Sequence, residues 1–421
     1  MERPPCARDA QSRSSQRQLR SARPAAPFAK DPEKQVRIGL NLTQFIPGRS
    51  GGAQSYIESL VRELLRTRGP ERFLLLCNHH TIPLFEGCQS ERCEVVNVVT
   101  PIPRPFNALG RFSKRVRFWA YSRGLRHVFE SARVDVLHFP MGFIIPIGYR
   151  GRTVLTSLDL QQEIHPEFFS RKELRWRREH YLPSARKATH IITISDHTAK
   201  SLSDVCGIPR ERITTVYPGC EEDFFHLEGS SRPADLPDRF FFYPAAFWPH
   251  KNHARLFRAV ALLRKEGFRL PLLLCGMNAA DDEPARAEVR NLGLEDQVTF
   301  LGYVPRERLR LLYRHAAFMI FPSLFEGFGI PVVEAMAAGC PVATSPATSL
   351  SEIVGNDGYT FDPESVESIA SAIRRLDTDP DLCRQLVDKG RRRATLFTAE
   401  EMARKTLAVY QKVVAPRGPS I

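Results

Sequence analysis

The chain has 421 residues, of which 43% are hydrophobic and 25% charged, and its formal net charge is +13. That composition excludes a wholly disordered or fibrous protein, and the length supports two domains at roughly 100–200 residues each. The positive balance attracts anions, whether nucleic acid, an acidic membrane surface or a phosphorylated substrate, and does not choose among them.

In chain order, residues 1–34 spread Arg3, Arg8, Arg13, Arg17, Arg20, Arg23, Lys30 and Lys34 among Ser, Gln, Pro and Ala. They lack the apolar segment of a secretory signal and read as a disordered basic tail. No run of about 18 apolar residues occurs, so a spanning helix is not expected; the expected location is the cytoplasm, at most peripheral to the inner face of a membrane. A strand is predicted over 36–42, a glycine-rich turn over 48–52, and a helix from the spacing of Ile57, Leu60, Val61, Leu64 and Leu65. Strands follow at 73–77, 94–99, 134–139, 153–158, 190–194 and 213–216, with helices at 111–130, 170–188 and 196–204. Residues 226–238 (HLEGSSRPADLPD) read as a linker. The alternation restarts with strands at 239–244, 271–275, 297–301, 317–321 and 341–344, helices at 252–265, 284–292, 305–315, 330–339, 364–376 and 379–393, and a final helix at 398–414. Two blocks of strand–helix alternation predict an α/β protein. Its two doubly wound, parallel-sheet domains (35–225 and 239–397) would face a central cleft, with 398–421 forming a C-terminal helix that packs back on the first domain, and a tail. In such sheets ligands bind beyond the carboxyl ends of the strands.

The nine cysteines are scattered and odd in number, which fits reduced thiols rather than a disulfide framework. Cys77, His79, His80, Cys88 and Cys93 form the one cluster with zinc-ligating residue types, but it contains no C-x-x-C pair, and no metal is expected. Two stretches are strongly basic. Residues 111–126 mix Arg111, Lys114, Arg115, Arg117, Arg123 and Arg126 with Phe112, Val116, Phe118, Trp119 and Leu125; residues 171–187 read RKELRWRREHYLPSARK. Each is either a helix with its cationic face in water or a surface for anionic lipid.

The richest segment runs from Phe321 to Pro341, FPSLFEGFGIPVVEAMAAGCP. A strand enters a loop bearing Glu326, Gly327, Phe328 and Gly329, and a helix starts at Ile330 with Pro331 in its first turn. Unpaired N–H groups at a helix start, helped by the helix dipole, attract phosphate, and the glycines allow close approach. Glu334 lies one turn in, on the same face as Ile330.

This segment resembles the E-x7-E signature of glycosyltransferase family 4, whose members have the GT-B fold of two Rossmann-like domains. Phe247-Trp-Pro-His-Lys251-Asn252-His253 resembles the family's phosphate-contacting turn, Gly302-Tyr303-Val304-Pro305 its base-lining loop, and Gly51-Gly52 its N-terminal glycine loop. Ser195-Asp-His-Thr and Val216-Tyr-Pro-Gly219 are similar to segments closing the first domain, so the likeness covers about residues 36–376. The resemblance implies a nucleotide-sugar-dependent transferase that retains anomeric configuration and passes a hexose, mannose or another, to a glycan or lipid-linked acceptor in polysaccharide or glycolipid synthesis. It gives the catalytic roles to Glu326 and Lys251. It extends donor contact to Asn252, Tyr303, Val304, Gly327, Phe328, Gly329, Ile330, Glu334, Gly51 and Gly52, with no cofactor and no metal. Lys251 would offset charge on the leaving diphosphate, Glu326 would touch the sugar and Glu334 the ribose. His138, Asp159 and His165 are acceptor-site candidates from their places near strand ends in the first domain.

Two departures stand out. Ala245 and Ala246 occupy the positions where the family often has Gly-Arg, with His250, His253 and Arg255 as possible replacements for the missing charge. Leu158 stands where many members have a histidine facing the sugar. They motivate an alternative, a catalytically weakened nucleotide-sugar binder or assembly partner. A nucleic-acid-binding role has only the net charge behind it and no reading motif, so nucleic acid is not an expected partner. A dehydrogenase lacks the Gly-x-Gly-x-x-Gly after the first strand.

Overall fold

The structure is a computed structural model that describes residues 35–48, 51–99, 114–146, 148–276 and 282–415. The basic tail, Arg49 and Ser50 of the glycine turn, and residues 111–113 of the first basic stretch lie outside them. Seven strands form the first sheet: β1 (Arg37–Asn41), β2 (Arg72–Cys77), β3 (Cys93–Asn97), β4 (Val136–Phe139), β5 (Thr153–Ser157), β6 (His190–Thr193) and β7 (Ile213–Thr215). Six form the second: β8 (Phe241–Pro244), β9 (Leu272–Cys275), β10 (Val298–Phe300), β11 (Phe318–Phe321), β12 (Val342–Thr344) and β13 (Tyr359–Thr360). Their orders are β3-β2-β1-β4-β5-β6-β7 and β10-β9-β8-β11-β12-β13. Every pairing among them is parallel.

The helices of eight or more residues are, in the first block, α1 (Gly51–Arg66), α2 (Lys114–Ser131), α3 (Arg171–Lys187) and α4 (Asp196–Asp204). The second block contains α5 (His253–Lys265), α6 (Glu283–Asn291), α7 (Arg306–His315), α8 (Ile330–Ala337), α9 (Val366–Thr378) and α10 (Pro380–Ala394), and α11 (Ala399–Val414) follows. The chain is therefore two Rossmann-like domains, as the alternation predicts.

Strand sequences such as FLLLC in β2 and FMIF in β11 are apolar throughout because helices cover both faces of each sheet. Alternate residues serve opposite layers. Ile38, Leu40, Phe73 and Leu75 join a core continuous with the second domain, while Leu74, Leu76, Leu137 and Leu155 join a separate core under α2 and α3. Helix starts follow their side chains. Ser195 caps α4 by accepting from Thr198 N at 3.0 Å, and Ser170 with Glu173 closes a capping box on α3. The last helix, α11, leaves the second domain and packs on α1 and the first sheet. There Tyr410 is fully buried and its hydroxyl meets His138 Nδ1 at 2.7 Å.

The elements that go beyond the sequence reading include β13 and the short helix Leu350–Val354. β13 is two residues long, below any usable alternation, and the short helix follows Thr348 at φ 52°, a left-handed conformation that sequence does not announce for threonine. Cys77, Cys88 and Cys93 lie within electrostatic reach of one another, but among the described residues no group of three or more His, Cys, Asp or Glu is placed to hold a metal. Cys77 and Cys93 are buried, their thiols pushed up by burial to about 11 and about 12, while His79 and His80 lie at the surface.

Candidate active site

Both sheets reverse their winding once, between β1 and β4 and between β8 and β11. At such a reversal two neighbouring strands send their following loops to opposite sides and open a crevice. In the second domain the loop after β8 carries Lys251 and the loop after β11 carries Glu326. Seventy-five positions apart in sequence, they meet with Nζ 2.6 Å from Oε1, at side-chain exposures of 13% and 11%.

Each partner is held by its backbone. Tyr243 donates its hydroxyl to Lys251 O at 2.7 Å. Asn252, at φ 63°, donates its side-chain amide to the carbonyls of Pro322 (3.0 Å) and Pro363 (2.7 Å) and accepts from Arg255. Asn252 thus clips the two loops together, and the structure commits its side chain there instead of presenting it to a donor. On the other loop, Glu326 N donates to Thr348 Oγ1, which donates back to Glu326 O, and Ser349 donates to the carbonyls of Glu326 and Phe328. Among the described residues the amides of Gly327, Phe328 and Gly329 have no protein acceptor, which leaves them available to an anion. Gly329, at φ 117°, makes the bend into α8, and a Cβ there would also lie 2.7 Å from Leu350.

The first domain closes the crevice. A Cβ on Gly327 would stand 2.2 Å from the carbonyl oxygen of Leu158 and 3.2 Å from Asp159 Cβ, and one on Gly52 would be 3.8 Å from Ile330. Leu158 packs half-buried against the main core and offers no polar atom from its side chain. Asp159, next to it, lies within electrostatic reach of both Lys251 and Glu326, and its Oδ1 accepts from Gln161 N. Burial pushes its carboxyl up, helped by Glu326 and opposed by the Gln161 amide, Arg177 and Lys251. A carboxylate raised in the fold costs stability above its folded pKa and nothing once protonated. Asp159→Asn is therefore expected to raise Tm at pH 7, with the gain vanishing as pH falls below the ordinary aspartate range; thermal melts at both ends check it. His165 is beside this group, bonded to Glu167 at 2.8 Å and edge-on to Phe325 of the opposite domain.

Other expected site residues sit differently. His138 is fully buried, with its ring nitrogens on Tyr410 (2.7 Å) and Thr156 (2.8 Å), and burial lowers it to about 3. It ties α11 to the sheet and turns no free nitrogen to the cleft, which corrects its reading as an acceptor residue. His250 and His253 do not replace the missing arginine. Both are buried and lowered to about 3, by desolvation first and then by Lys251, so they are neutral near pH 7. A hollow of about 670 Å³ beside them is lined by Phe247, Trp248, His253 and Arg255 but by neither Lys251 nor Glu326. Tyr303 is 71% exposed and Val304 half-buried, on the loop whose Gly302 carbonyl accepts from Gly276 N.

Glu334 is deeply enclosed, with a side chain 4% exposed. Its Oε1 meets Arg306 at 2.6 Å and its Oε2 accepts from Tyr313 at 3.0 Å. Arg306 also reaches Glu221, which pairs with Arg62 of α1, so the network spans both domains. Arg306, Tyr313 and Glu221 are absent from the sequence reading. Their only signal, Arg306 one step after the base-loop proline, reads equally well as an ordinary helix start.

Known proteins resemble this chain across both domains. The family model for glycosyl transferases group 1 matches residues 230–393, and that for glycosyltransferase family 4 matches 50–224. The chain is 31% identical over 288 residues to the O-antigen chain mannosyltransferase B of Escherichia coli, covering 66% of this chain and 74% of that protein. It is 32% identical over 235 residues to the MMP alpha-(1->4)-mannosyltransferase of Mycolicibacterium hassiacum, covering 55% and 56%. Among solved structures, Anabaena Alr3699/HepE with UDP and glucose superposes with a TM-score of 0.69 at 18% identity, over 90% of this chain and 100% of that one. WaaG, a glycosyltransferase involved in lipopolysaccharide biosynthesis, superposes at 0.66 and 17%, with the same coverage. With matching models over both halves and a relative at this identity and coverage, the chain belongs to the group 1, family 4 glycosyltransferases.

Proposed function

We propose that this glycosyltransferase moves a hexose, mannose or another, from a nucleotide-diphosphate sugar to a glycan or lipid-linked acceptor with retention of anomeric configuration, in polysaccharide or glycolipid assembly. The observation that carries the reading is the Lys251–Glu326 pair at the winding reversal of the second sheet, beside three unoccupied loop amides. In this reading the diphosphate lies over the amides of Gly327 to Gly329. Lys251 meets the charge that grows on the leaving phosphate, and such preorganised donors act most strongly where charge develops. Glu326 orients the sugar, Glu334 the ribose and the 302–304 backbone the base. Asp159 and His165 meet the acceptor from the opposite wall. The two mannosyltransferase relatives support a hexosyl donor, and the O-antigen chain in the first one's name supports polysaccharide as one acceptor class.

A lipid-linked acceptor draws support from the first domain's surface. α2 and α3 touch through Phe118 and His180 at 5.8 Å, and Phe118, Trp119 and Trp176 are 44%, 54% and 39% exposed among basic residues. Aromatic and basic residues side by side suit an anionic lipid surface. None of the helices described is long and apolar enough to cross a membrane.

The test is a panel of UDP-, GDP-, ADP- and dTDP-hexoses, with release of free nucleoside diphosphate followed by mass spectrometry. One donor is expected to be cleaved, by about 10²- to 10³-fold less in Glu326→Ala, and unchanged by a chelator. Cleavage at the wild-type rate in the variant would overturn the site assignment; a product of inverted configuration would overturn retention.

A further inference from the structure

We propose that Glu352 is a positioning residue that latches the two domains together and holds the Glu326–Gly329 loop in the same act. Its Oε1 accepts the backbone N–H of Asp196 at 3.0 Å and its Oε2 that of His197 at 3.1 Å, both in the first turn of α4 in the opposite domain. A carboxylate is what such a helix start favours, because the N–H groups lack intrahelical partners and the dipole is positive there. The helix already carries its own cap, Ser195, so Glu352 satisfies two further donors. The competing carboxylate of Asp196 is drawn off by Thr215 Oγ1 (2.6 Å) and Tyr217 OH (3.1 Å).

Glu352 is not free to move alone. Arg393 of α10 donates to its carbonyl at 2.6 Å and to that of Ile353 at 2.9 Å. Four and three residues before it, Thr348 and Ser349 make the hydrogen bonds that fix Glu326 and Phe328. Thr348 holds a left-handed φ of 52°, a strained conformation for a β-branched residue that persists only where the surroundings over-determine it. One short segment therefore grips the first domain with Glu352 and the Glu326 loop with Thr348 and Ser349. Opening the cleft breaks the grip at α4 and releases the loop's support; closing it restores both. Burial raises the Glu352 carboxyl while the His197 and Asp196 amides pull it back, as expected of a carboxylate moved out of water onto fixed donors.

The coupling rests on reading the Glu326 loop as the donor site; the latch itself does not, and the experiment separates the two. Amide hydrogen exchange at Asp196 and His197 is measured in the wild type and in Glu352→Ala, alongside kcat and KM for the cleaved donor. Exchange at both amides is expected to quicken about tenfold or more, as when a shielding bond is lost. kcat is expected to fall about tenfold or more, with KM changed by less than about threefold, as for lost orientation rather than lost binding. His197→Pro, tolerated in a first helical turn, removes one donor from the other side, and its kcat loss is expected to be non-additive with that of Glu352→Ala. Unchanged exchange would overturn the latch. Faster exchange with unchanged kcat, or additive losses, would overturn the coupling. If the wild type cleaves no donor while exchange quickens, the latch stands and the donor reading fails.

Discussion

Replacing Lys251 with alanine is expected to remove transfer almost completely, by about 10²- to 10³-fold in kcat, the usual loss when one preorganised group facing developing charge is deleted. It is also expected to cost stability. Lys251 and Glu326 sit at 13% and 11% side-chain exposure with 2.6 Å between them, and removing one partner of such a pair leaves a carboxylate without its counter-charge, at about 3–5 kcal/mol for a fully buried case and less here. The two effects separate in a double variant. Lys251→Met with Glu326→Gln leaves no unpaired charge, so Tm should return most of the way while activity stays absent. Melting curves and donor turnover on both variants and the wild type check this. A Lys251→Ala protein that turns over normally would refute the role, whatever its Tm.

Gly327→Ala is expected to lose about 10²-fold in activity for a different reason. The added methyl would lie 2.2 Å from the Leu158 carbonyl oxygen, a backbone atom of the other domain that no rotamer change can move. The gap has to widen by more than an ångström, and misplacement of that size across a reacting site costs about two orders of magnitude. Neither domain's own packing is touched, and Gly327 does not need a positive φ, so stability should change by less than about 1 kcal/mol. On the proposed reading the nucleoside diphosphate should still bind, because Lys251 and the loop amides that would hold it belong to the second domain. Calorimetry on the product nucleotide together with turnover would show binding kept and transfer lost; equal loss of both would mean that the methyl disrupts the loop itself. Gly329 provides the contrast. Its φ of 117° makes alanine there a backbone problem as well as a contact with Leu350, so Gly329→Ala should lower Tm too.

The fold was legible because its signals are local and repeated. Runs such as FLLLC and FMIF announce strands buried on both faces, and Gly, Pro and Ser mark the turns between them. Lys251 and Glu326 were each legible through a short motif, though their pairing was not, and the doubly wound order explains why loops after β8 and β11 meet. The partners of these residues were not legible. Whether Asn252 faces a ligand or clips Pro322 and Pro363, and whether Glu334 is open or engaged by Arg306 and Tyr313, depends on side-chain direction across elements far apart in sequence. The strand-end rule put His138 near the cleft, but it says nothing about a helix more than 250 positions later covering that end of the strand with Tyr410. Glu352 carried no motif because its two acceptor bonds go to main-chain amides, which every residue type possesses.

The return of α11 to the first sheet has a consequence for how the molecule is made. Domains commonly fold as they leave the ribosome, the N-terminal one first. Here the first domain has its whole sheet by residue 215, yet the partner for the buried imidazole of His138 is Tyr410, and the apolar face that α1 shares with α11 stays uncovered until then. The second domain can close its own core while the first waits, exposed, for the last helix. Order of assembly therefore runs against order of synthesis, and in a nascent chain halted before residue 399 the first domain would display the face that draws chaperones.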